Sequence, residues 1–437
     1  MTRHIAIIGA GASGTLLAAN IARLAQARVH VTLVEKRPAI GRGIAYAPID
    51  PAHLLNTRVR NMSAFADDPD HFLHWLKDTA ITATPDCFVT RECYGTYLNH
   101  ILAPALADGR VTRLQDDCLS VSPTDKGATL ELESGGTLIA SAAVLATGHL
   151  LEAGSASGLD SPWTTPLPSD DRARIAFVGT GLTTLDWVAS LLQRGHKGPL
   201  IALSRRGLLP QPHAASTPLR LSLADIPVGS SLLFLTRWFR SLVRSHTARG
   251  GDWRDVVDGI RPHTQTLWRH LPQPSRRQFL RHLATVWDSH RHRMPPSTAA
   301  LMARALETGQ LTLVRGAFQT ARRDEAGIAL GYRPRGSQRS TDIAVDLALD
   351  CRGIRRRPQD TATPYIRDLL HRGLARVDSL DLGLCFDPES RLCDAAGRPH
   401  RQILGIGPVT RAAFWEITAV PDIREQAARL AKTLLAG

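Results

Sequence analysis

Short apolar runs alternate along this chain with stretches whose apolar residues recur at helical spacing, and the arrangement occurs twice. Ile5–Ile8 leads into Gly9-Ala10-Gly11-Ala12-Ser13-Gly14, then a helical pattern through Leu24, then the run Val29–Glu35. Much later, Ile175–Val178 leads into Gly179-Thr180-Gly181-Leu182-Thr183-Thr184, a helical pattern through Leu192 and the run Leu200–Ser204. Short apolar runs bounded by glycine read as buried strands, and the longer periodic stretches as helices. Both halves close alike. Ala128–Leu132, the turn Ser134-Gly135-Gly136 and Leu138–Ile139 read as a hairpin leading to the strand Ala143–Ala146, which ends in Thr147-Gly148. Ile328–Tyr332 and Ile343–Leu349 repeat the scheme of hairpin and returning strand and end in Asp350-Cys351-Arg352-Gly353.

The expected fold is therefore α/β, with two Rossmann-like dinucleotide-binding domains and a mostly helical insertion. The first domain is expected to be discontinuous, residues 1–170 and 354–437, and the second to comprise 171–218 and 311–353, with the insertion at 219–310. In the insertion Leu232, Leu235, Trp238, Phe239, Leu242 and Val243 follow helical spacing. That basic amphipathic helix either packs on its domain or lies on a membrane surface. Ile403–Pro408 reads as a strand and turn of the first domain. Glu416 through Leu435 reads as the last helix, with Trp415 and Glu416 at its start and Pro421 near its N-terminus, where proline is tolerated.

The glycine pattern carries chemistry. In G-x-G-x-x-G after a strand, Gly9 permits the tight turn, Gly11 lets the backbone approach a pyrophosphate, and Gly14 allows the helix to pack close to the strand. Amides at the helix start then face the phosphates. Glu35, 21 residues past Gly14, ends the next strand, where an acid accepts from ribose hydroxyls. The second motif has Thr184 in place of the third glycine, with Gly179, Gly181, Leu182 and Thr183 as its nucleotide-facing residues. Ser204-Arg205-Arg206 ends its second strand. Arginines there pair with a 2′-phosphate and favour NADPH over NADH. As alternatives, these arginines are solvated loop charges, or the second domain is vestigial.

Further blocks make a family resemblance specific. They include Glu35-Lys36-Arg37, Gly41-Arg42-Gly43-Ile44-Ala45-Tyr46, Asn61-Met62-Ser63-Ala64-Phe65, Tyr94-Gly95-Thr96-Tyr97-Leu98, Ala146-Thr147-Gly148, Ser204-Arg205-Arg206-Gly207, His290-Arg291-His292-Arg293, Gly405-Ile406-Gly407-Pro408, Trp415-Glu416 and Ile423-Arg424-Glu425-Gln426-Ala427. In these the chain resembles a bacterial family of FAD/NAD(P)-binding oxidoreductases, one member class being the FAD-dependent urate hydroxylases. The resemblance implies FAD at the first motif, held by Gly9, Gly11, Ser13, Gly14, Glu35, Lys36, Arg42, Asn61, Met62, Thr147, Gly148, Gly407 and Trp415. It implies a flavin cover at Asn56–Phe65, in which Arg58 and Arg60 are candidates for holding an anion. Arg352 departs from the threonine common in the family at that place. The F-x-G-x-x-x-H-x-x-x-W pattern of Baeyer–Villiger enzymes does not precede Gly179.

Composition changes the picture in three ways. The chain has 437 residues, more than one ordinary core accommodates. It has no run of about eighteen apolar residues to span a membrane and no signal-peptide pattern, so a cytoplasmic protein without stable membrane insertion is expected. Its six cysteines form neither a C-x-x-C zinc spacing nor the C-x4-C of flavin disulfide reductases, so no metal and no redox pair is expected. The net charge is +13, and Ser204–Ala300 holds fifteen arginines, no lysine and five acids. Such a patch suits nucleic acid, a membrane surface or an anionic small molecule. Without a nucleic-acid-binding signature, the small molecule is preferred. Trp287, His290, Arg291 and Met294, spaced to share one helical face, are candidates to hold it, with helix packing as the plain alternative.

Without a redox cysteine pair, molecular oxygen is the natural electron acceptor. The expected activity is a monooxygenase acting on a small polar or anionic substrate, such as a urate-like nitrogen heterocycle. Alternatives are amine N-hydroxylation, NAD(P)H-dependent reduction of a quinone or protein, and a non-enzymatic dinucleotide sensor.

Overall fold

Ile5–Ile8 and Ile175–Val178 are each almost completely buried, as parallel strands covered on both faces must be. Both are interior strands of the computed structural model, each flanked on both sides, and the structure describes residues 3–25, 29–47, 50–51, 53–149, 157–325, 327–353, 358 and 363–436. The N-terminal segment comprises β1 (Arg3–Ile8), α1 (Ala12–Leu24), β2 (Val29–Val34), α2 (His71–Asp78), α3 (Arg91–Ala107), β3 (Val111–Leu114), β4 (Cys118–Thr124), β5 (Gly127–Leu132), β6 (Thr137–Ala140) and β7 (Ala142–Leu145). The middle begins with β8 (Ile175–Val178), α4 (Leu182–Gln193) and β9 (Leu200–Ser204). Next come α5 (Leu232–Ala248), α6 (Trp253–Ile260), α7 (Thr264–His270), α8 (Gln273–His282), α9 (Ala284–Arg291) and α10 (Pro296–Glu307). It closes with β10 (Leu311–Asp324), β11 (Gly327–Pro334), β12 (Thr341–Val345) and β13 (Leu347–Asp350). α11 (Pro364–His371), β14 (Arg391–Cys393), β15 (Pro399–Gly405) and α12 (Val420–Ala436) follow.

Two units emerge. One holds Met1–Pro51, Thr57–Ala153 and Ile354–Gly437, the other Ala52–Asn56 and Gly154–Gly353. In the first, strands run in the order β14-β15-β7-β1-β2-β3, with β3, β2, β1, β7 and β15 mutually parallel. Helix α1 crosses from β1 to β2 and packs against α3 and α12. Alternate residues of β1 and β7 (Ala6, Ile8, Ala143 and Leu145) point to the opposite face, where they form a core with Val121 and Leu130 of the antiparallel sheet β4-β5-β6 and Tyr365, Ile366 and Leu369 of α11.

The second unit has the order β12-β11-β10-β9-β8-β13, parallel from β10 to β13. β10 is long enough to serve twice, running parallel to β9 as far as Arg315 and antiparallel to β11 from Gly316, with a bulge at Phe318/Thr320 inside the second pairing. The expected pair of Rossmann-like sheets with helices inserted between β9 and β10 is the observed architecture.

Three local features are set by the structure, two of them against expectation. The run Ile343–Leu349 divides between two strands. The chain leaves β11 after Val345 and joins β8 from Leu347, and Asp346 turns it by accepting from the Arg174 amide at 2.6 Å and donating its own amide to Arg174 O at 2.8 Å. The last helix begins at Val420 rather than Glu416, because Glu416 has φ of 67°, a left-handed conformation that an α-helix cannot incorporate. Finally, α9 stops at Arg291, so Met294 is not on a helical face. Its backbone instead bridges to Pro212.

Asp346→Ala should lower the unfolding free energy by about 1 kcal/mol, and Asp346→Asn, which keeps an acceptor, by less. Urea unfolding monitored by circular dichroism measures both.

Candidate functional site

Each unit has a glycine turn between its first strand and helix, built by the same contacts. Gly9 sits at φ of 103° and donates to Val34 O at 2.8 Å, while Gly179 sits at 123° and donates to Leu203 O at 2.8 Å. Both positions are closed to a side chain: a Cβ on Gly9 would lie 2.6 Å from Ala146 O, and one on Gly179 would strike Cys351 O. Both helices start on a glycine N-cap, Gly11 and Gly181, with no side-chain cap and no acid in the first turn. Helix-start amides left without side-chain acceptors form an anion site.

The two turns differ at their sixth residue. A Cβ on Gly14 would collide with Gly9 O, so α1 lies against its strand. Thr184 occupies the matching place in α4, and its hydroxyl donates to Gly179 O at 2.9 Å. The missing third glycine is thus replaced by a hydrogen bond, and the turn survives.

Around the first turn, the Glu35 carboxylate accepts from the Ala10 amide at 3.0 Å and the Arg37 amide at 3.1 Å, which anchors it beside the glycines. Lys36 pairs with Asp117 at 2.9 Å. Gly41 N donates to Ala10 O at 2.7 Å and brings the next loop over the turn, so that Gly11 and Gly43 meet backbone to backbone. Arg42 lies within 4.0 Å of Glu92 and packs over Gly95. Gly407 lies against Ser13, its amide donating to Gln426 Oε1 at 2.8 Å. Gly148 opens at the end of β7 with clear space where a side chain would stand, and the Thr147 and Tyr94 hydroxyls are buried without a hydrogen-bond partner among the described residues. Residue spacing gives Gly43, Tyr94 and Gln426 no role of their own, although each falls in a segment that carries the family resemblance.

The loop 57–65 is held by Tyr97, whose hydroxyl accepts from the Ala64 amide at 3.1 Å and contacts His71 Nδ1 at 2.8 Å. Met62 is buried here and Asn61 half-buried. Arg58 and Arg60 both reach Asp86, at 3.0 and 2.9 Å, so their charge is already paired. Trp415 lies in the turn before α12 under Arg411, whose guanidinium is 5.1 Å from the ring centre. Burial, with Arg411 adding to it, pushes the His149 imidazole down to about 4.

At the second turn, Ser204 Oγ accepts from the Gly207 amide at 3.0 Å and lies 3.0 Å from Thr180 Oγ1. Leu182 and Thr183 are the first residues of α4, both half-buried. Arg206 donates to His282 O at 2.6 Å and is occupied, while Arg205 is exposed and forms no ion pair among the described residues. Arg315, opposite Ser204 in the β9–β10 register and packed against Gly207, was missed because only strand pairing places it there. Arg352 is pinned to Asp350 at 2.7 and 2.8 Å and covers Phe318.

The candidate face on α9 divides. Trp287 meets Phe239 of α5 at 6.0 Å, whereas His290 stacks edge-on against Trp253 at 4.9 Å. Arg254 lies over the same Trp253 ring at 4.4 Å, with Arg293 at 5.7 Å. Arg291 is buried, and the charges of Arg291 and Arg254 both act on Arg293, which pairs with Asp258.

Residues 6–150 match a family model described as FAD-NAD(P)-binding. No curated protein matches the chain. Among solved structures, it is similar to the ornithine N-hydroxylase of Kutzneria sp. 744 (TM-score 0.64, 14% identity, 100% of this chain and 99% of that one). It is also similar to the L-lysine 6-monooxygenase of Pseudomonas syringae (0.62, 14%, 100% and 99%) and the bacillithiol disulfide reductase of Bacillus cereus (0.56, 12%, 100% and 99%). The chain has the fold these oxidoreductases share.

Two outcomes are expected. Gly14→Ala should cost about 2 kcal/mol of stability through its clash with Gly9 O, whereas at Gly11 a methyl would stand 3.5 Å from Gly43, in ordinary contact. Gly11→Ala should therefore fold as the parent does yet hold FAD at least roughly tenfold more weakly, because it fills the phosphate approach. Thermal melts with fluorescence titration of FAD separate the two. The depressed His149 adds an acid sensitivity, since the unfolded chain takes up its proton near pH 6.5 and the folded chain only near 4. Stability should fall by on the order of 2 kcal/mol between those values, and less in His149→Gln, as read from unfolding midpoints against pH.

Proposed function

We propose that the protein is an FAD-dependent, NADPH-consuming monooxygenase that hydroxylates the nitrogen of a small amine. The observation that carries this is the pair of alike glycine turns, each ahead of a helix that does not cap itself. Gly9, Gly11 and Gly14, with the amides of Ala12 and Ser13, would hold the FAD pyrophosphate. Glu35 retains carboxylate lone pairs for ribose hydroxyls beside its two amide bonds. The buried hydroxyls of Thr147 and Tyr94 supply polar contacts within the same unit. In the other unit Gly179, Gly181, Leu182 and Thr183 would hold the nicotinamide dinucleotide, with Arg205 and Arg315 at its 2′-phosphate. Bound FAD supplies hydride acceptance from NADPH and electron delivery to oxygen. Written in balance, one amine, one O2, one NADPH and one proton give the hydroxylamine, water and NADP+.

The amine is favoured by likeness over the whole chain to the ornithine and lysine enzymes. A second reading has its own support: Arg254 and Arg293 lie over the Trp253 ring, each also paired with an aspartate (Asp252 and Asp258), and such a basic aromatic cluster suits a flat anionic molecule such as a urate-like heterocycle.

Oxygen uptake distinguishes the readings. Ornithine, lysine, other diamines and urate are added to the FAD-loaded protein with NADPH, and products are weighed by mass spectrometry. Uptake in step with a hydroxylated amine is the expected result. A hydroxylated urate product selects the second reading, and fast reduction of a quinone or dye with no hydroxylated product discards both. NADPH should bleach the flavin at least roughly tenfold faster than NADH at limiting concentration, and Arg205→Ala and Arg315→Ala should each reduce that preference.

A further inference from the structure

We propose that helix α5 docks the protein onto an anionic lipid bilayer. The inner side of α5 is already committed: Phe239 meets Trp287, and His246 Nε2 lies 2.8 Å from Asp255 Oδ2 at the start of α6. Its outer side is not. Leu233 and Phe234, in the first turn, are 61% and 56% exposed, and Phe234 is the one exposed phenylalanine among the described residues. Arg237, Arg240 and Arg244 continue the same stripe at helical spacing, all exposed and none in an ion pair among the described residues. Leu223, 52% exposed in the short 3-10 turn that precedes α5, adds a further apolar side chain.

A large apolar pair at one end and a row of arginines along the helix is the pattern of a helix lying in the headgroup region, with side chains dipping toward the acyl boundary and guanidinium groups on lipid phosphates. No helix among the described residues is long and apolar enough to cross a membrane, so the attachment is peripheral. Charge selects this occupant over two others. A second copy of the chain would oppose this stripe with the same arginines, in a segment carrying fifteen arginines against five acids. A nucleic acid would satisfy the arginines but leave Leu233 and Phe234 in water. Neither Leu233, Phe234 nor the three arginines takes part in the nucleotide sites, so membrane attachment is independent of the chemistry proposed above.

The full-length protein is sedimented with phosphatidylcholine vesicles, alone or mixed with phosphatidylglycerol. Binding should be at least roughly tenfold tighter to the anionic vesicles and should weaken with added salt. Leu233→Asp with Phe234→Asp, and separately Arg237→Glu with Arg240→Glu and Arg244→Glu, should each weaken it at least roughly tenfold. All five side chains are exposed, so thermal melts should stay parental. Arg269→Glu with Arg281→Glu, equally exposed but on α7 and α8, should have a smaller effect than the α5 charge reversal. The proposal is overturned if anionic vesicles are not bound. It is also overturned if the α7–α8 change matters as much as the α5 changes, or if duplex DNA is bound more tightly than the vesicles and the Leu233/Phe234 change leaves vesicle binding intact.

Discussion

Both units depend on a helix whose first amides are left uncapped at the end of a buried parallel strand. An uncapped helix start costs stability unless water or a ligand accepts from it. Here the cost is built in, because Gly11 and Gly181 replace the Ser, Thr, Asp or Asn that would satisfy those donors. Much of the surroundings follows from keeping that start open. Gly9 and Gly179 turn the chain where any Cβ would meet a carbonyl of the returning strand's end, and the hydrogen bonds from their amides tie the turn to the neighbouring strand. In the first unit the Gly41–Gly43 loop and Gly407 bring further backbone against it.

The two turns also show how the motif tolerates change. Close packing at Gly14 is enforced by sterics, whereas Thr184 reaches a similar place with a hydrogen bond to Gly179 O. The sequence signal weakens while the backbone geometry of the turn persists.

Sequence reading succeeds where structure is local. Strands β8 and β9, the end of helix α1 and both glycine turns lie at or within a residue of where pattern alone puts them, because burial and turn chemistry act over a few residues. It fails where a distant partner decides. The break at Asp346 comes from Arg174, far away in sequence, and the pairing of Arg58 and Arg60 with Asp86 comes from a neighbouring loop. The late start of α12 comes from the backbone at Glu416, which no side-chain pattern announces. Arg315 becomes a candidate only through the register of β10 on β9. The cysteines illustrate the same limit: spacing excludes a C-x4-C pair, and the structure adds that Cys118 and Cys351 are buried with thiols pushed up to about 12, where a thiolate is disfavoured.

Calorimetric titration of the purified protein with FAD, followed by NADP+ on the FAD-loaded form, decides whether one chain carries two separate dinucleotide sites. One FAD and one NADP+ should bind per chain at the same time, with flavin absorbance retained while NADP+ saturates. Displacement of FAD by NADP+, or a chain that binds only one of the two, would rule out two separate sites.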